Sequence, residues 1–230
     1  MCFSAEASFA GGVVISAIGI ATLTKVHKSS QVLFAGIPLF FGMQQIAEGV
    51  LWLTLPCLEY SGIQKLSMYI FLVMAQVIWP FLTPLSVLLM EENEKRKFYL
   101  KILLVTGILL SAYYGFCFAN FEVTPRIINY HIQYDHSFPQ IMVIPTSVAY
   151  LLVTIGPLFI SSIKRTHVLG ILVAASCLVT AIFFTQYLTS VWCFFAAIIS
   201  GIIFWILNDS KRKFRIEKLN LMKHHFKTKS

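Results

Sequence analysis

One ionisable side chain, Glu48, lies deep inside an apolar stretch that covers residues 32–55. A carboxyl group at membrane depth costs several kcal/mol unless it meets a partner, a proton or water, so its presence needs a cause. Gln44 and Trp52 lie four residues before and after it, and Gln45 lies three residues before it. In a helix, Gln44, Glu48 and Trp52 would share one face. That face predicts a hydrogen-bonding or proton-binding site inside the protein.

Other polar and aromatic side chains are predicted to lie at the same end of the protein as Glu48. They occur at the start of the first helix, in the longest loop and in the last helix: Cys2, Ser4, Glu6, His131, Tyr134 and Trp192. Aromatic residues at this depth also form the belts of ordinary membrane helices. Taken with Glu48, the set predicts a polar, aromatic-lined cavity that opens outward.

No cofactor or metal is expected at this site. The six histidines, at positions 27, 131, 136, 167, 224 and 225, fall at predicted helix ends, in loops or in the C-terminal segment. They therefore provide no intramembrane cluster for haem or zinc. The last predicted helix contains no lysine, which excludes a retinal pigment. A nucleophile paired with a base is not recognisable either, so an intramembrane enzyme is the weakest of the functional alternatives.

The elements that must position these residues follow from composition. The 230 residues are 57% hydrophobic and 12% charged, with a mean hydropathy of +0.77. A soluble domain carries about 25% charged residues. Long apolar runs without alternation indicate helices rather than a barrel. The composition therefore predicts an all-α polytopic membrane protein.

Seven apolar runs have the length that a membrane span requires. They cover residues 5–24, 32–55, 65–90, 98–119, 140–161, 167–185 and 189–207. The last two runs are separated by three residues only, and their fusion would reduce the count to six. The pattern predicts a seven-helix membrane domain at 1–207 and a basic tail at 208–230.

Basic residues predict the orientation of this domain, since cytoplasmic loops hold an excess of Lys and Arg. Of the 18 Lys and Arg residues, only Lys65 and Arg126 fall on the other side of a seven-span arrangement. This distribution predicts an N-terminus outside, a C-terminus in the cytoplasm and a multi-pass protein of the cell inner (plasma) membrane.

The basic tail and the lipid bilayer supply the expected partners. The tail is predicted to contact the anionic leaflet of the membrane lipids. Nucleic acid is not an expected partner, because the topology explains the net charge of +8. The sequence does not determine the oligomeric state.

Two segments carry a resemblance to a known family. The N-terminal Met-Cys-Phe-Ser-Ala, followed by Ala7-Ser8-Phe9, occurs together with Gln44-Gln45-x-x-Glu48-Gly49-x-x-Trp52. This combination resembles a family of small prokaryotic multi-span membrane proteins of unknown function. The resemblance implies that the N-terminal segment and the Glu48 face belong to one design, and it implies no activity.

Two functional classes fit these residues. In the first, the outward cavity binds a small or lipidic ligand, as in a receptor, sensor or binding protein, and Glu48 supplies a hydrogen bond or a countercharge. In the second, the protein is a proton- or cation-coupled carrier of small molecules, and Glu48 is the coupling group.

We predict that Glu48→Gln preserves folding and abolishes ligand-dependent stabilisation or transport. Glutamine keeps the size and hydrogen-bonding capacity of the side chain but cannot ionise. Thermal unfolding of the purified protein with and without ligand measures the effect. An unchanged ligand response in a well-folded variant would contradict the functional interpretation of Glu48.

Overall fold

The computed structural model describes residues 4–128, 131–183 and 195–209. This part of the chain is mostly helical and contains seven helices and one β-hairpin. The helices are α1 (Ala5–Leu23), α2 (Val32–Thr54), α3 (Ser61–Met90), α4 (Glu94–Asn120), α5 (Gln140–Ile160), α6 (Lys164–Phe183) and α7 (Ala196–Asp209). The strands are β1 (Val123–Ile128) and β2 (His131–His136). Cys2, Trp192 and the predicted tail from residue 210 onward lie outside the described residues.

Five of these helices are long and apolar enough to cross a membrane: α1, α3, α4, α5 and residues Lys164–Ile182 of α6. The described part of α7 is shorter than these five helices. α2, which contains Gln44, Gln45 and Glu48, is not among the five. The length and composition of these five helices agree with the predicted helical membrane protein.

α1 and α2 pack closely because small side chains face each other. A Cβ atom added to Gly42 would overlap the Ser16 hydroxyl, and one added to Gly12 would lie 2.8 Å from Cγ1 of Ile46. Such close approach is typical of membrane helices that carry small residues four positions apart. The pairing holds α2, and with it the Gln44–Glu48 segment, against α1.

The predicted all-α architecture needs one addition, the hairpin of β1 and β2 between α4 and α5. Its antiparallel register pairs Ile127 with Ile132, and Ile132 is completely buried. The Tyr134 ring stacks on Phe71 of α3, with ring centroids 5.2 Å apart. The β-branched and aromatic residues of this loop suit a half-buried strand, which is why the segment pairs rather than remaining irregular.

α3 is interrupted by a π-helical segment, Val73–Ile78. π-helical turns are rare and displace carbonyl groups from the usual hydrogen-bonding pattern. The Tyr150 hydroxyl of α5 donates to the Ala75 carbonyl at 2.5 Å, and the Ser111 hydroxyl of α4 donates to the Val77 carbonyl at 2.6 Å. The π-helical segment is therefore tied to α4 and α5 through its backbone.

A second backbone contact joins α3 to α4 just after the π-helical segment. Pro84 has no N–H, so the Pro80 carbonyl lacks its usual helical donor. That carbonyl lies against Gly107 of α4, where an added Cβ atom would overlap the oxygen. Only a residue without a side chain allows the two helices to approach this closely.

Two hydrophobic clusters fill the bundle. One joins α2 to α7 and includes Phe34, Trp79, Leu158, Leu169 and Ile203. The other joins the hairpin with the ends of α2, α3 and α4 that lie next to it and includes Leu51, Phe71, Cys117 and Ile132.

Glu91 connects two loops at the end of the bundle opposite the hairpin. Its carboxylate Oε1 accepts from the backbone N–H groups of Glu92 and Asn93, at 3.1 and 3.0 Å, and its Oε2 accepts from that of Ser162 at 2.6 Å. Glu91 is 2% exposed. The α3–α4 loop and the α5–α6 loop are thus joined through one buried carboxylate.

We predict that Gly107→Ala lowers the stability of the protein. The added methyl group would overlap the Pro80 carbonyl, and overpacking typically costs about 1–3 kcal/mol. Gly115→Ala is the matched control in the same helix, because nothing lies within 4 Å of its added Cβ. Thermal unfolding in detergent measures both variants. Equal melting temperatures for the two would contradict the close α3–α4 contact.

We predict that Glu91 makes the stability of the protein sensitive to acid. Burial raises the pKa of Glu91, but hydrogen bonds from Asn93, Ser162 and Glu92 outweigh it and hold the pKa below its usual 4.5. Such a carboxylate contributes stability above its unfolded pKa and loses it as pH falls through the folded pKa.

The measurement is thermal unfolding as a function of pH. Glu91→Gln is expected to lower stability at neutral pH and to flatten its decline below about pH 4.5. Glu59→Gln, at an exposed position, should retain the wild-type profile. An unaltered acid profile in Glu91→Gln would show that the carboxylate does not hold the two loops.

Candidate functional site

A cavity of about 340 Å³ lies between six of the seven described helices, α2 to α7. This volume is at the lower end of the range of about 300–1,000 Å³ that is typical of small-molecule sites. The wall comprises Phe34, Ile37, Phe41, Gln44, Ala75, Gln76, Trp79, Thr83, Tyr113, Tyr114, His136, Phe138, Val143, Thr146, Ser147, Tyr150, Leu151, Thr154, Leu158, Leu169, Val173, Cys177, Ala181, Ile199 and Ile203.

Most of this wall is aliphatic or aromatic. Phe41 and Trp79 pack against each other with ring centroids 4.3 Å apart, and Phe138 contributes a third ring near the hairpin. The described wall includes no Asp, Glu, Lys or Arg. Apart from the imidazole of His136, a charged ligand would find no potential counterion there, so the surface suits a neutral and largely apolar molecule.

Gln44 of α2 and Trp79 of α3 form a side-chain hydrogen bond between two helices of this wall. The Trp79 indole Nε1–H donates to Gln44 Oε1 at 3.1 Å, and both side chains are buried. Because the indole is a donor only, the contact determines which amide atom of Gln44 faces α3. The bond fixes the indole ring and the amide at the boundary of the cavity.

α5 presents a row of hydroxyl groups to the cavity. Thr146 donates to the Met142 carbonyl at 2.6 Å, Ser147 to the Val143 carbonyl at 2.7 Å, and Thr154 to the carbonyl of Tyr150 at 2.7 Å. Each hydroxyl has one proton to donate, and here it is used on the backbone. The oxygen lone pairs of Ser147 and Thr154 remain as hydrogen-bond acceptors, whereas Thr146 has a further side-chain hydrogen bond with Tyr114.

Glu48 is completely buried, one turn beyond Gln44 on the same face of α2. Four residues correspond to roughly 6 Å along a helix axis. Glu48 does not line the cavity, whereas Gln44 does. The sequence-derived face is therefore buried within the protein, and one of its members lines the cavity.

Gln45 and Trp52 complete the predicted α2 set and lie away from the cavity wall. Gln45 is 0% exposed, and its amide oxygen and nitrogen make no hydrogen bond within the described residues. The same holds for the indole Nε1 of Trp52, which is partly buried. Buried polar atoms of this kind call for a partner.

The remaining predicted residues that the structure describes, Ser4, Glu6, His131 and Tyr134, lie at the hairpin end of the bundle and do not line the cavity. The Ser4 hydroxyl caps α1 by accepting from the Ala7 N–H at 3.2 Å, and Glu6 is exposed in the first turn. Tyr134 packs on α3, and burial lowers the pKa of His131, which favours a neutral imidazole.

Sequence reasoning missed the wall contributed by α3 and α5. Thr146, Tyr150 and Thr154 recur every four residues in an otherwise apolar helix, which was a readable polar stripe. Gln76 is a polar residue inside the third apolar run, before two prolines. These signals could have been read beside that of Glu48. No group of three or more His, Cys, Asp or Glu suited to a metal occurs among the described residues.

Comparison with known proteins gives a family without an assigned activity. No curated protein and no solved structure matches the chain. A family model described as a family of unknown function (DUF6629) matches residues 1–218, which include all seven described helices. The predicted membership of an uncharacterised family is thereby confirmed. The chain belongs to the family of unknown function DUF6629.

Proposed function

We propose that this chain crosses the cell inner (plasma) membrane seven times, with its N-terminus outside and its C-terminus in the cytoplasm. Five helices with the length and composition of membrane spans support this, as does the distribution of Lys and Arg. In this orientation the hairpin lies on the outer side and Glu91 lies on the cytoplasmic side.

The proposed function within this arrangement is binding of a small or lipidic ligand, as a receptor, sensor or binding protein. The single observation that carries the proposal is the cavity of about 340 Å³ that is lined by helices α2 to α7 and whose described wall contains no Asp, Glu, Lys or Arg. A void of this size forfeits packing contacts, so an occupant of matching shape would stabilise the bundle. Membrane lipids surround the protein and are one source of such an occupant.

Gln44 and Glu48 have distinct roles in this proposal. Gln44 lines the cavity and is held by Trp79, so it orients the polar part of a ligand. Glu48 lies one turn away in a low-dielectric surrounding, where a charge acts over a longer distance than in water. Ligand occupancy and protonation of Glu48 are therefore coupled.

A small-molecule carrier is the second candidate, and the π-helical segment of α3 favours it. Transporters build their sites next to interrupted helices, and Val73–Ile78, followed by Pro80 and Pro84, borders the cavity. Uptake of the bound compound into proteoliposomes would identify a carrier, whereas saturable binding without flux would identify a receptor or binding protein.

We predict that the purified full chain carries a bound compound that is lost when the cavity is filled. In Val173→Phe, the larger side chain projects from a cavity-lining position of α6. Val179→Phe makes the same change at an exposed position of the same helix that does not line the cavity. Solvent extraction followed by mass spectrometry identifies the compounds that copurify with the wild type and with each of the two variants.

The expected result is one compound enriched with the wild type and with Val179→Phe, and absent from a folded Val173→Phe protein. If no compound accompanies the wild type, or if Val173→Phe retains it, the cavity is not the binding site and the proposed function is wrong.

A further inference from the structure

We propose that the cavity takes a neutral, hydroxyl-bearing amphiphile, such as an alkylphenol or a long-chain alcohol, which enters from the bilayer between α5 and α6. This proposal rests on the proposed function and names its ligand class and route of entry.

The entry route is inferred from cavity-lining residues of α5 that are also exposed. Val143 and Leu151 line the cavity and are 39% and 38% exposed, and Ser147 between them is exposed as well. Their spacing of four residues places them in one row along α5. A row that reaches both the cavity and the outer surface marks an opening in the wall.

The surface around this opening is apolar. Ile144, Val148 and Leu152, each next to a member of the row, are 75%, 52% and 58% exposed and do not line the cavity. Such a surface faces hydrocarbon in a membrane protein. The opening therefore leads to lipid, and a molecule that uses it is dissolved in the bilayer.

α5 and α6 are closed together on the cytoplasmic side of the opening. The Phe159 ring packs against Gly170, where an added Cβ atom would lie 3.1 Å from the ring. The centroids of the Phe159 and His167 rings are 6.3 Å apart. The exposed row begins two turns farther along α5 and continues toward the hairpin. The opening is consequently confined to the outer half of the α5–α6 pair.

The hydroxyl requirement follows from the polar atoms of the wall. Ser147 and Thr154 use their protons on backbone carbonyls. Gln76 adds a buried Oε1 that accepts no hydrogen bond within the described residues. These three side chains thus offer acceptor atoms, and a ligand that can donate a proton satisfies them.

A matched pair of probes tests this requirement. 4-Octylphenol can donate a hydrogen bond, and 4-octylanisole has the same ring and chain with a methyl ether in place of the hydroxyl. With the purified full chain in detergent, we expect 4-octylphenol to bind about tenfold more tightly by titration calorimetry. Gln76→Met, which removes the acceptor but keeps a side chain of similar size, should reduce that ratio.

Entry is tested in phosphatidylcholine vesicles with the same phenol. Ser147→Trp and Leu151→Trp place a large ring in the opening, and Val148→Trp and Leu152→Trp place it on the neighbouring lipid-facing positions. We expect binding of 4-octylphenol to slow about tenfold or more in the first pair and to keep the wild-type rate in the second. Equal rates in both pairs would overturn lateral entry.

The outcomes separate this proposal from the function on which it rests. Equal affinity for phenol and ether would overturn the hydroxyl requirement and leave ligand binding intact. Failure of both probes to bind, while a compound is still lost from Val173→Phe, would overturn the ligand class alone. Loss of no compound from Val173→Phe would overturn the proposed function itself.

Discussion

The bundle depends on how the π-helical segment of α3 satisfies its carbonyl groups. An unpaired backbone group in hydrocarbon costs several kcal/mol, and Val73–Ile78 displaces carbonyls from the regular helical pattern. Hydroxyl groups of Tyr150 and Ser111 donate to two of these carbonyls. Since the donors belong to α5 and α4, the three helices are held in one arrangement, and the cavity wall that they share is held with them.

The same cost of unpaired polar groups explains the inward positions of several polar side chains. Thr146 and Thr154 bond to their own helix, and Gln44 receives the indole proton of Trp79. Each of these groups would be costly against lipid, and each is turned inward instead. The result is a cavity wall whose polar atoms mainly make hydrogen bonds within the protein.

Sequence and structure agree best where a single helix determines the outcome. Residues 32–55 predicted α2 to within one residue, and the inward position of Glu48 followed from the cost of exposing a carboxyl group to lipid. The π-helical segment, the hairpin and the α5 part of the wall were not predicted. The hydrogen bond from Tyr150 to the Ala75 carbonyl forms only when α3 and α5 pack together. The two residues are 75 positions apart, so no local sequence pattern predicts their contact.

The buried carboxylate of Glu91 has a mechanical consequence. It fastens the α3–α4 turn to the α5–α6 turn through three backbone N–H groups, so these two helical pairs share a common base. Any relative rotation of the two pairs about this base displaces their far ends, next to the hairpin, the most. The hydrogen bond from Tyr150 of α5 to Ala75 of α3 opposes such a rotation. In the proposed orientation, the common base faces the cytoplasm.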